Sequence, residues 1–209
     1  MIMFYAVFVT FLLLCISEVI WRKTNIHNEL MRKFIHISVG TFVAFWPFFL
    51  SWNQIRLLSV VFVVVVAVSS YLNIFKAIHA VERPTWGEIL FAVTVGLLTF
   101  ITHDAAIYAT AVLQMSLADG LAAVIGTLYG KTNSYHVLGH HKSRMGSLAF
   151  FAVSLAILAG YVALSGAVVN TGYMVGLALV ATVIENIGVR GLDNLLVPVV
   201  VAVTLTVLS

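Results

Sequence analysis

Asp119 sits inside an apolar stretch, Ser116-Leu117-Ala118-Asp119-Gly120-Leu121-Ala122, that runs out into basic sequence ending at Lys142-Ser143-Arg144-Met145-Gly146-Ser147. A carboxylate in lipid-like surroundings costs roughly 2.5–3.5 kcal/mol, so it faces a partner, an ion or a wet cavity. Pairing with a neighbouring helix is the plain alternative; the functional reading is a metal- or substrate-facing acid above a phosphate-binding loop. Two further acids, Glu185 and Asp193, stand near the end of the chain with the amides Asn186 and Asn194. Helix capping accounts for Asp193 or Asn194, but not for Glu185, which lies inside its apolar segment. With Asp119 these acids are the oxygen ligands that a hard divalent cation takes.

Cations surround the acids in sequence. Gly126-Thr127-Leu128-Tyr129-Gly130-Lys131-Thr132 looks like a phosphate-binding P-loop but is one residue short between its glycines. It also follows an apolar helix instead of a strand, so the P-loop fold is rejected. Its physics remains: glycines expose backbone N–H groups, and Lys131, Lys142 and Arg144 supply cations for phosphate oxygens. Gly146-Ser147 opens a helix whose N-terminus suits an anion. Earlier, Arg32, His36 and Gly40 recur at i, i+4 and i+8 and share a helix face, with Lys33 beside them. Arg32 and Lys33 also fit ordinary membrane-interface anchors. Glu82 and Glu88 could ligate a metal or be solvated, and for either one alone the solvated reading is preferred. His136, His140 and His141 lack an acidic or thiol companion in their loop, which favours hydrogen bonding over metal binding.

These residues must be positioned by membrane helices. The chain has 209 residues, of which 62% are hydrophobic and 9% charged, with mean hydropathy +1.08. Soluble domains average about 25% charged residues, so the composition indicates an integral membrane protein. The length allows one bundle, residues 1–209, and no second domain. The single Cys15 excludes an intramolecular disulfide. Eight apolar segments are predicted, at 2–20, 34–50, 55–75, 88–101, 105–128, 147–164, 172–188 and 194–208. The first has no basic residue ahead of it and no small-residue cleavage site behind it, unlike a signal peptide.

Ten of the eleven Lys and Arg residues fall in alternate loops, Arg56 being the exception. By the positive-inside rule those loops are cytoplasmic and both termini lie on the other side. The expected fold is an all-α, polytopic bundle of about eight helices, with Glu82, Glu88, Asp119, Glu185 and Asp193 all towards the cytoplasmic face. Ala118, Ala122, Gly126 and Gly130 recur every four residues, a stripe that lets another helix approach closely.

Four stretches together resemble the family of membrane CTP-dependent lipid kinases, which includes phytol kinase, dolichol kinase and the CTP-dependent diacylglycerol kinase. They are Arg32-Lys33 with His36 and Gly40; Asp119-Gly120-Leu121-Ala122 with Gly126 and Gly130-Lys131; Lys142-Ser143 with Gly146-Ser147; and Glu185 with Asp193-Asn194 and Pro198. The resemblance spans Arg32 to Pro198. It implies transfer of the γ-phosphoryl group of CTP, with Mg²⁺, to the hydroxyl of a lipid alcohol drawn from the bilayer. In this reading Asp119, Glu185 and Asp193 hold the metal. Arg32, Lys33, Gly130, Lys131, Lys142, Ser143, Arg144, Gly146, Ser147 and Asn194 bind the nucleotide. Asp119, His36 and Lys142 are catalytic, with His36 placed to take the alcohol proton. The partners are a nucleoside triphosphate, the lipid alcohol and membrane lipid, with no nucleic acid. Oligomeric state stays open. The same segments are more distantly similar to the CDP-diacylglycerol synthases, which transfer a cytidylyl group, and intramembrane acids also occur in transporters and flippases. Against a carrier, the ionisable residues cluster on one face and no internal repeat is visible.

Overall fold

A computed structural model describes residues 1–23, 28–72, 86–130 and 132–208. Glu82 and Lys131, singled out in the sequence, lie outside the described residues, as do Lys76 and Arg83 of the alternating basic loops. Among those described the chain is helical apart from one hairpin: α1 Ile2–Lys23, α2 Asn28–Ala44, α3 Trp52–Leu72, α4 Gly87–Ile101, α5 Ala105–Tyr129, α6 Arg144–Ser165, α7 Thr171–Ile187 and α8 Asp193–Leu208. Four helices, α1, α3, α5 and α6, are long and apolar enough to cross a membrane, while α4, α7 and α8 are apolar but shorter. Phe4, Phe8 and Phe11 of α1 and Val60, Val64 and Val68 of α3 are exposed. Such a continuous apolar exterior is ordinary against lipid and a liability in water.

The second helix differs from its predicted segment. It begins earlier than the apolar segment, at Asn28, so Arg32 and Lys33 stand within the helix, as the shared face of Arg32, His36 and Gly40 requires. It stops at Ala44, where Pro47 allows only the short 3₁₀ turn Trp46–Phe48. The basic loop before α6 is likewise more ordered than the sequence suggests. β1 (Ser134–Val137) and β2 (His140–Ser143) pair antiparallel, with Tyr135 opposite Lys142 and His136 opposite His141. Leu138 and Gly139 make the turn at φ +48° and +80°, both in the left-handed region that a tight two-residue hairpin requires. Leucine is a poor signal for such a turn, so the hairpin is hidden in the sequence.

Helix α5 is the hub. Its small-residue stripe does admit a neighbour: Gly126 and Gly130 lie against Ser143, and Gly126 also against Gly146 at the start of α6. A different glycine admits α2, since a methyl group at Gly120 would run into the Ile37 side chain, and one at Gly40 into Ser116. Asp119 is thereby held close to α2. Gly120→Ala is expected to destabilise the protein by about 1–3 kcal/mol, as overpacking does. Thermal unfolding in detergent measures it, and Ile37→Ala in the same chain should restore most of the loss if the close approach is the cause.

Two long-range ties fix the other helices. Arg56, the cation outside the alternating pattern, donates to Thr99 Oγ1 at 2.9 Å and to the Thr99 carbonyl at 3.0 Å, and lies 4.3 Å from the centroid of the Phe100 ring. It joins α3 to α4, which accounts for its place outside the basic loops. The α7–α8 connection clasps the start of α4. Gly191, at φ +92°, packs its backbone on Gly87; Trp86 N–H donates to the Arg190 carbonyl at 3.0 Å; and Asn194 Nδ2 donates to the Gly87 carbonyl at 3.0 Å.

Candidate active site

Of the five acids expected on one face, Asp119, Glu185 and Asp193 stand near one another, at the end of the bundle where α2, α4 and α8 begin and α7 ends, and Glu82 lies outside the described residues. Asp119 and Glu185 are buried, 5% and 6% exposed, and each faces a lysine. Lys33 Nζ donates to Asp119 Oδ2 at 2.5 Å. Lys142 Nζ donates to Glu185 Oε1 at 2.5 Å and to the Glu185 carbonyl at 2.9 Å. Burial alone would lower the Lys142 pKa, but the Glu185 carboxylate, with Asp119 and Asp193 behind it, raises it above the ordinary lysine value. Lys142 is therefore fully cationic at neutral pH.

His36 joins this cluster through a feature of α5 that the sequence does not announce. From Gln114 to Ala118 the helix widens into a π turn, a distortion often found at functional sites because it frees a backbone group. Here the Met115 carbonyl meets His36 Nε2 at 2.9 Å. A carbonyl only accepts, so Nε2 carries the hydrogen and Nδ1 keeps the lone pair. The same Nε2 is 3.6 Å from Asp119 Oδ2. The ring sits edge-on to Phe91, with centroids 5.2 Å apart.

Other predicted residues have structural partners. Ser143 caps α6, accepting from the Gly146 N–H at 3.0 Å, so that amide is already engaged. Ser147 Oγ donates to Asn186 Oδ1 at 2.8 Å, and the Tyr135 hydroxyl bonds to both of them. Through Tyr135 the hairpin is anchored to α6 and α7, which sets the height at which Lys142 meets Glu185. Tyr135 was not anticipated; its only sequence signal is a polar aromatic within a basic loop. Arg144 is exposed at the first position of α6, and Gly130 is buried. Glu88 corrects its solvated reading: it is only partly exposed, and its Oε1 lies 4.0 Å from Arg32 Nη1. The start of α4 is drawn inward by the Gly87–Gly191 contact, which takes Glu88 with it.

Asn194 does not cap α8; its Nδ2 reaches across to Gly87. Its Oδ1, and Oδ1 of Asp193, are buried acceptors with no protein partner. Unpaired buried oxygens are costly, and an acidic one beside Asp119 and Glu185 suits a hard cation. Among the described residues no three His, Cys, Asp or Glu side chains converge as a ligand set, and Lys33 and Lys142 stand against two of the acids. The carboxylate and amide oxygens are of the donor type that a hard divalent cation takes, with Lys33 and Lys142 as resident counter-charges.

The chain is 31% identical over 190 residues to a phytol kinase from Synechocystis sp., an alignment covering 87% of this chain and 80% of that protein. It matches no family model and no solved structure.

Proposed function

This chain belongs to the phytol kinase family of membrane lipid kinases, and from that premise we propose that it transfers the γ-phosphoryl group of CTP to the hydroxyl of a lipid alcohol at the cytoplasmic face of its membrane. The acceptor is a membrane alcohol such as phytol, a polyprenol or dolichol, or diacylglycerol. The observation that supports the reading most is the pair of buried carboxylates, each matched by a lysine, beside a histidine with one free lone pair.

Phosphoryl transfer asks little covalent help from a protein; it needs alignment and neutralised charge. Asp119, Glu185 and Asp193 are the residues to hold Mg²⁺, which when bound draws charge from the phosphate oxygens. Lys33 and Lys142 turn from carboxylate to phosphate oxygens as the triphosphate arrives, joined by the exposed Arg144 and by Arg32. His36 Nδ1 takes the hydroxyl proton as the alcohol oxygen bonds to the γ-phosphorus and the bond to the β-phosphate oxygen breaks. The products are lipid monophosphate and CDP. The Nε2–H bond to the Met115 carbonyl keeps Nδ1 unprotonated until it takes that proton, and holds the resulting imidazolium in place.

A product assay on purified protein tests the reading, crossing labelled CTP, ATP, GTP and UTP with a panel of lipid alcohols. Lipid monophosphate and CDP are expected. CDP-lipid with pyrophosphate would make the protein a cytidylyltransferase, and nucleotide consumption that ignores the alcohol would end the kinase reading. Sidedness is tested separately. In a Cys15→Ser background, cysteines at His141 and Gly166, both exposed, should react with an impermeant reagent from opposite sides of the membrane. Reaction of both from one side would overturn the orientation.

A further inference from the structure

A cavity of about 60 Å³ opens beside His36 and runs between α1, α2, α3 and α4. Its polar end is made by Arg32, His36, Glu88 and Asn194, and its remaining walls are apolar, among them Leu14, Val39, Phe62, Val66 and Phe91. An aromatic ladder leads inward from the acids. The His36 ring is edge-on to Phe91, and Phe91 is edge-on to Phe62 at 6.2 Å. Asn194, 5% exposed, lines the polar end, and its buried Oδ1 has no protein partner.

We propose that this groove seats the hydroxyl-bearing end of the acceptor, and that Leu14, Phe62 and Phe91 determine which alcohols are accepted. The assignment rests on the kinase reading and adds the acceptor's place to it. A ligand with one polar atom on an apolar chain matches a groove polar at one end and apolar along its length. Asn194 Oδ1 accepts the hydroxyl hydrogen when the alcohol binds, and His36 Nδ1 receives that proton during transfer. The cavity is far smaller than the roughly 300–1,000 Å³ that encloses a whole drug-sized ligand. It therefore takes only the leading carbons of a single chain, with the rest of the tail lying along the lipid-facing side of the bundle. A single-chain alcohol fits; a glycerolipid, whose two chains diverge close to its hydroxyl, does not.

Two variants and a labelling measurement test the groove. Leu14→Trp fills it and should lower kcat/KM for phytol about ten- to a hundredfold, the scale on which apolar pockets discriminate, while KM for the nucleotide stays unchanged. Phe62→Cys in the Cys15→Ser background gives a second readout independent of turnover: phytol should protect this cysteine from an alkyl methanethiosulfonate and dioctanoylglycerol should not. A cysteine at the exposed Val64 serves as the unprotected control. Unchanged acceptor kcat/KM in Leu14→Trp, or no protection at Phe62→Cys in folded protein, overturns the groove even if the enzyme is an active kinase. Protection by phytol without phosphoryl transfer from any nucleotide would instead keep the groove and reject the kinase. Should Leu14→Trp not fold, the labelling result decides alone.

Discussion

Asp119→Asn is expected to lower turnover by about 10²–10³-fold or more, the scale of losing one preorganised electrostatic group from a reaction that depends on them. It is also expected to destabilise the protein, which follows from the Lys33 contact and not from the sequence. The amide keeps the shape of Asp119 but removes the counter-charge of a buried ammonium at 2.5 Å. Breaking a buried pair by neutralising one partner costs up to about 3–5 kcal/mol. The two effects separate in the double variant Lys33→Met with Asp119→Asn, where no charge is left unpaired. Thermal stability should return towards the parent value while turnover stays low across a Mg²⁺ titration. Near-parent turnover in either folded variant, with unchanged Mg²⁺ dependence, would reduce Asp119 to a helix-pairing residue and remove most of the case for a metal here.

Lys142→Ala should cut kcat/KM for the nucleotide about ten- to a hundredfold, since a charged hydrogen bond contributes roughly 1.5–3 kcal/mol. Because Lys142 also neutralises the buried Glu185, part of the loss will appear as instability. Lys142→Ala combined with Glu185→Gln should recover stability without recovering nucleotide use. The pH dependence has a definite sign. The folded-state pKa of Lys142 lies above its unfolded value, so the stability contributed by its charge is fully present below the ordinary lysine pKa and is lost as pH rises through the elevated one. Lys142 itself therefore keeps its charge near neutrality, so an assay of the parent at pH 7 reads the charged lysine. Parent-like nucleotide kinetics in Lys142→Ala would reassign the residue to anchoring the hairpin.

The membrane class, the apolar segments and the grouping of ionisable residues are legible in the sequence because they are local properties, set by how each stretch partitions between water and lipid. A stripe such as Ala122–Gly126–Gly130 shows that a helix can come close without saying which; the tertiary structure makes it α6, and gives α2 to Gly120. The acids Asp119, Glu185 and Asp193 could be named from their types alone. Their partners could not, since Lys33 and Asp119 are 86 residues apart and Lys142 and Glu185 are 43 apart. Such pairings depend on the rotation and height of whole helices, which are fixed by backbone contacts such as Gly191 on Gly87. The π turn that turns the Met115 carbonyl to His36 and the hairpin that sets the position of Lys142 carry no sequence signature of their own. Only packing against the rest of the bundle decides them. The sequence by itself thus determined a membrane protein with its chemistry at one end. The tertiary structure decided which charges neutralise one another, which nitrogen of His36 faces the Met115 carbonyl, and where a cavity opens beside that ring.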